Sequence, residues 1–173
     1  MAVRTIVRLG HPALRAKCKR VLNFDSPELL ELIRDLGDTL SDFKRERGFG
    51  RGIAAPQITV PVRLIYIDVG DPTPMCNPVI TGRSRKKMTL WDDCFSIPDL
   101  MVKLRRHLSI IVRYQDPAGH RHTLKAQGPL SELLQHEIDH INGILTVDRA
   151  IDSRHIMYRS EYRKLGAEGS IAL

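Results

Sequence analysis

Apolar positions recur every three or four residues along two stretches of this chain, and cluster as short strand-like runs in several others. In "FDSPELLELIRDLGDTLSDFKRE", residues 24–46, Leu29, Ile33, Leu36, Leu40 and Phe43 fall on one helical stripe. Ser26 can cap this long N-terminal helix and Pro27 suits its first position. A second stretch, "GPLSELLQHEIDHINGIL" at 128–145, carries Leu130, Leu133, Leu134, Ile138 and Ile141 at the same spacing. It opens on Gly-Pro, and Gly143 can end it.

The remaining pattern is β. "VRLIYIDV" (62–69) is β-branched and apolar, a strand. "PTPMCNPVI" (72–80) turns and then extends. "LSIIVRY" (108–114) and "HRHTLKA" (120–126) flank the turn signal "QDPAG", which predicts a hairpin. A last helix is expected near 153–166, on a weak pattern. The strands come in meander-like runs rather than in alternation with helices. The class this favours is α+β, with sheets packed around one central helix.

Composition narrows the picture. The chain has 173 residues, 42% of them hydrophobic and 27% charged, which suits one domain, 1–173, with a real core. No apolar run approaches the roughly 20 residues that a membrane helix needs. The opening "MAVRTIVRLGHP" lacks a long apolar stretch and a small-residue cleavage site, so a cytoplasmic, non-membrane protein is expected. The net charge of +7 favours polyanions such as a ribosome surface. The basic residues are scattered, however. The densest run, "RSRKK" at 83–87, reads as a solvated loop. There is no RNA-recognition signature, so no specific nucleic acid is expected. Cys18, Cys76 and Cys94 are an odd number without zinc-knuckle spacing, and in a reducing cytosol they are free thiols or a ligand.

The candidate chemistry is concentrated in "QHEIDH" (135–140). His136 and His140 are four apart, so they share a helix face and can meet one cation. Glu137, next to the first His, stands where HExxH sites place a general base. The flanking residues are apolar, and a buried imidazole needs a partner. A third protein ligand is expected. His at 146 would make a longer zinc motif, but Thr146 stands there. Spacing alone leaves Glu161, as in thermolysin-like proteases, and Cys94 in "WDDCFSIP" both open. A thiolate binds zinc or ferrous iron well.

Three motifs in order, "GRGIAAPQ" (50–57), "DDCFS" (92–96) and "QHEIDHINGIL" (135–145), together resemble the peptide deformylase family. The opening "VRLGHPALRAKCKRV" (7–21) is similar to that family's too. The resemblance implies an α+β fold with the HExxH helix surrounded by antiparallel sheets. It implies a metal-dependent hydrolase that removes the formyl group from the N-terminal formylmethionine of nascent polypeptides, giving formate. The metal is then one divalent ion, ferrous iron first, with zinc, nickel or cobalt as substitutes. Carried over by motif, Cys94, His136 and His140 are its ligands and Glu137 is the acid/base. Gln57 and the Phe95 backbone N–H bind the developing oxyanion. Gly50, Arg51, Gly52, Ile53, Glu132 and Leu133 border the substrate, with Gly52 admitting its backbone as an added strand.

The chain departs from the family pattern in three places. Asp92-Asp93 replaces Glu-Gly before the ligand Cys, and Phe95 replaces Leu after it. Arg51 stands where an aliphatic residue lines the methionine pocket. Residues 132, 136 and 140 share a helix face, so Glu132 can reach toward the same pocket. Arg51 then either pairs with Glu132 at the rim or folds out to solvent on its aliphatic stem. Competing functions are a hydrolase of another N-formyl or N-acyl amine, a non-catalytic binding homologue, and a protease using Glu161.

Overall fold

The computed structural model describes residues 2–165. The first helical stripe forms α1, Pro27–Arg47. The Ser26 hydroxyl accepts from the Leu29 N–H at 3.2 Å, so the expected cap is in place. Leu29, Leu32, Leu36 and Leu40 are buried on it, while Ile33 and Phe43 are half-buried. Leu32 therefore belongs to the stripe, which is broader than the spacing suggested.

The strands make two antiparallel sheets. The first has the order β1-β2-β3-β6-β7: Gly52–Ala54, Leu64–Asp68, Pro72–Arg83, Ser109–Gln115 and Arg121–Gln127. The second has the order β4-β5-β8: Lys87–Cys94, Ile97–His107 and Ile156–Tyr158. The second helix, α2, spans Pro129–Ile141 and ends ahead of Gly143. It packs against strands of both sheets. Every residue from Ser131 to Ile141 is buried, including polar ones. Ile65, Met75, Val112, Leu134, Ile138 and Ile141 form the core between α2 and the larger sheet. A second core joins α1 to Ile53 and Leu64.

Three expectations are corrected. The stretch 72–80 does not turn before it extends, since β3 already starts at Pro72, and the irregular register between Cys76 and Val79 accommodates Pro78. Residues 83–87 are not all loop, since Arg83 ends β3 and Lys87 begins β4. The stretch 153–165 holds a 3₁₀ turn, β8 and only a short helix α3, Arg159–Lys164, because Ile156–Tyr158 pairs with the edge of β5. Position 166 lies outside the described residues. β1 and β4 had no clear signal in the sequence. No helix among the described residues is long and apolar enough to cross a membrane.

Candidate active site

Three elements converge on one point. His136 and His140 come from α2, and Cys94 ends β4, where Phe95 and Ser96 form the two-residue loop of the β4–β5 hairpin. The Cys94 Sγ lies 3.3 Å from His140 Nε2, which lies 3.2 Å from His136 Nε2. The three donor atoms are buried and all within 4.8 Å of one another. Two imidazole nitrogens and a sulfur facing each other in a buried site call for a cation, and this soft donor set suits zinc or ferrous iron. Glu161, the other candidate ligand, stands exposed on α3 and pairs with Lys164 at 2.8 Å.

The His136 ring is aimed by a carboxylate. Its Nδ1 lies 3.1 Å and 3.2 Å from the two oxygens of Asp92, which leaves Nε2 to face His140 and Cys94. Asp92 also accepts from Arg106 at 3.1 Å, and Arg106 donates to Asp139 at 2.5 Å. Asp139 in turn accepts from Arg149 at 2.7 Å. Burial alone would raise the Asp92 carboxyl, but His136 and Arg106 outweigh it and hold it at about 2. Burial opposes charge on His136 too; there Asp92 and then Cys94 win, and its pKa is raised. His140 has no such carboxylate, and burial, His136 and Arg106 push its pKa well down. Its Nδ1 has no hydrogen-bond partner.

Asp92 was missed as a functional residue. A signal did exist: residues two apart on an extended chain share a face, so Asp92 accompanies Cys94 inward. Arg106 carried no signal, because a charged residue in a strand pattern reads as exposed.

Glu137 is buried beside the cluster, with its Oε2 unpartnered. Burial, followed by Glu132 and Asp92 against the pull of His136 and Arg51, raises its pKa to about 7. Gly52 makes room for it. A Cβ at Gly52 would stand 2.9 Å from Glu137 Oε1 and 3.1 Å from its Cδ. This close approach is a reason for glycine that the sequence did not reveal. Gly50 has φ +140°, and a Cβ there would meet the Phe95 ring at 3.0 Å.

Gln57, in a 3₁₀ turn after β1, is buried rather than looped out. Its Oε1 accepts from the Ala54 N–H at 2.9 Å, which fixes the amide. Its Nε2 is left 3.2 Å from Ser96 Oγ and 3.9 Å from Cys94 Sγ. The Phe95 ring stacks on Phe43 with centroids 3.8 Å apart, so the larger residue is absorbed by α1. Asp93 does not need a left-handed backbone, since Thr59 and Asn77 alone among described non-glycine residues have positive φ. It accepts from Arg159 at 2.6 Å instead.

A cleft of about 660 Å³ opens over the cluster, lined in part by Gly50, Arg51, Gly52, Glu132, Leu133 and Glu137. Arg51 donates to Glu132 at 2.5 Å, so of its two sequence-level placements the structure has the paired one. Ile53 is not on the cleft. Strand alternation turns its side chain away from the face of Gly52, and it is fully buried against α1.

A family model described as polypeptide deformylase matches residues 3–155. The chain belongs to this family. It is 37% identical to a peptide deformylase of Thermomicrobium roseum over 180 residues, covering 98% of each chain. A Brucella suis peptide deformylase is 33% identical, over 97% of this chain and 96% of its own. The crystal structure of the Legionella pneumophila peptide deformylase matches with a TM-score of 0.82 at 34% identity, covering 94% of this chain and 92% of that one. The Synechococcus elongatus peptide deformylase in complex with actinonin matches with a TM-score of 0.80 at 34% identity, covering 87% and 80%. The chain is thus an α+β metal-dependent hydrolase of the deformylase family, which removes N-formyl groups from nascent peptides.

Proposed function

We propose that Cys94, His136 and His140 hold one divalent cation, and that Glu137 moves the protons of formyl-amide hydrolysis. The carrying observation is the convergence of Sγ and two Nε2 atoms within 4.8 Å, beside a buried carboxylate with a free oxygen. The cation, when bound, supplies Lewis acidity and lowers the pKa of water toward neutrality. Glu137, poised near 7, accepts a proton from the attacking water and returns one to the leaving amine. The Gln57 amide and the Phe95 N–H donate to the oxygen that becomes negative as the formyl carbon turns tetrahedral. Formate and a free amine leave. β1 is the edge strand of its sheet, so a substrate backbone can add beside Gly52. We read residues 1–173 as one cytoplasmic catalytic domain that meets N-formylated nascent polypeptides at the ribosome surface, its basic charge supporting that encounter.

The direct test is formate release from formyl-Met-Ala-Ser, run anaerobically with ferrous iron. Release at the background rate by fully metal-loaded protein would overturn the reading and favour a binding homologue.

Ferrous iron on a thiolate is open to oxygen at both atoms. Activity of the iron form is expected to decay in air, and the nickel or cobalt form to persist. Equal aerobic lifetimes would exclude iron as the sensitive partner.

The Arg51–Glu132 pair bears on the first side chain of the substrate. A methionine thioether there rests against an ion pair instead of an apolar wall. Changing Arg51 alone would strand a buried Glu132, so the pair is replaced together. R51V/E132L is expected to raise kcat/KM for formyl-Met-Ala-Ser about tenfold, a 1.4 kcal/mol gain. An unchanged value would take the pair off the substrate path.

A further inference from the structure

On another side of α2 from the cleft residues, a cavity of about 500 Å³ is lined mainly by cations. Arg63, Arg83, Lys87, Arg105, Arg106 and Arg149 line it, against one carboxylate, Asp139. Asp139 is spent on two of them, Arg106 and Arg149. Arg83, Lys87 and Arg105 pair with no carboxylate among the described residues. Arg63 donates to the Asn142 side chain and to backbone carbonyls, and has no carboxylate either. Arg83 and Lys87 are the two ends of the basic run 83–87, which the sequence presents as a solvated loop; the other cations are spread from 63 to 149, so only the fold gathers them here.

A second observation points the same way. Arg106 is only 4% exposed, and its Nε–H has no hydrogen-bond partner. An unmade bond from a buried guanidinium is costly, and clustered cations repel one another unless an anion sits among them. The apolar lining carries no Phe, Tyr or Trp on which a base could stack.

We infer that this cavity is an anion site for closely spaced phosphates, held through charge and N–H bonds without reading a base. The chemistry is that of an RNA backbone or of a free oligophosphate. Arginine forks suit either. This site is separate from the hydrolytic cleft, and its occupation does not require the metal.

The test compares wild type with R83Q/K87Q/R105Q, and with R8Q/K17Q/R121Q, which removes the same charge from exposed positions outside the cavity. Binding of a fluorescent oligouridylate is followed by anisotropy between about 50 and 200 mM salt, and inorganic tripolyphosphate is titrated by calorimetry. The cavity variant is expected to lose at least about tenfold in affinity and to flatten the log K against log salt slope by about 2, at roughly 0.7 per phosphate contact. The control variant should lose much less. Unchanged formate release and thermal unfolding show that the cavity variant is folded. Tripolyphosphate binding that the cavity variant alone loses, without oligouridylate binding, assigns the site to free oligophosphates. Oligouridylate binding that the cavity variant alone loses, and that equimolar tripolyphosphate leaves in place, assigns it to the backbone. Binding of neither, or equal losses in the two triple variants, overturns the site.

Discussion

Glu137→Gln is expected to keep its metal and lose at least about a hundredfold in hydrolysis, the lower end for a general acid–base group. The amide has the size of the carboxylate and fits beside Gly52, where there is no room for more. It cannot accept a proton from water or carry one to the amine. Formate release from formyl-Met-Ala-Ser and metal content, measured on the same sample, check this. Near-normal turnover by a metal-loaded variant would show that another group moves the proton.

The same substitution has a second readout in the metal-free protein. Burial raises the Glu137 pKa from 4.5 to about 7, so the folded state resists its charging. Stability from this group is therefore full below 4.5 and falls as pH rises toward about 7. The difference is about 3 kcal/mol at 1.36 kcal/mol per pH decade. Glu137→Gln removes it, so the variant should match wild type at pH 4 and unfold later at pH 8. This separates loss of a base from loss of structure, since a merely damaging change would destabilise at both.

The sequence disclosed some of these residues and hid others for physical reasons. α1 was legible because a cap and a 3.6-residue stripe agree, and α2 because a Gly-Pro opening, a glycine stop and the same stripe agree. His136, Glu137 and His140 were legible because a helix turns spacing into adjacency. The same arithmetic turned Glu132 toward the pocket, since 132 lies one turn before 136, but it left Arg51 free either to pair with it or to fold out to solvent; the structure has the pair. β4 was not legible. It mixes "KMTLW" with two aspartates, and the buried Asp92 is satisfied by His136, 44 positions away, and by Arg106. Such pairing is a property of the fold, not of any window. β1 is three residues long and β8 is another three, too short for a period to register. Gly52 illustrates the limit best: its motif was plain, but the contact that demands glycine is with a helix 85 positions on.

The third ligand is where spacing gave two answers and geometry favours one. Cys94→Ala is expected to abolish metal retention, from about one ion per chain to nearly none, because two imidazoles alone make an incomplete site. Glu161→Ala should retain the metal, since that carboxylate is exposed and engaged with Lys164. Elemental analysis after dialysis against a weak chelator distinguishes them. The effect is not a packing artefact in disguise. Cys94 has only a small cluster around it, with Leu14, Ile97 and Leu145, and alanine removes just the sulfur. A cobalt-loaded wild type should also show a sulfur-to-metal charge-transfer absorption that Glu161→Ala keeps. Loss of metal from the Glu161 variant alone would transfer the site to a protease-like ligand set. Retention by both variants would mean that the ion is held by the other buried carboxylate–imidazole group, Asp92, Glu132 and His136.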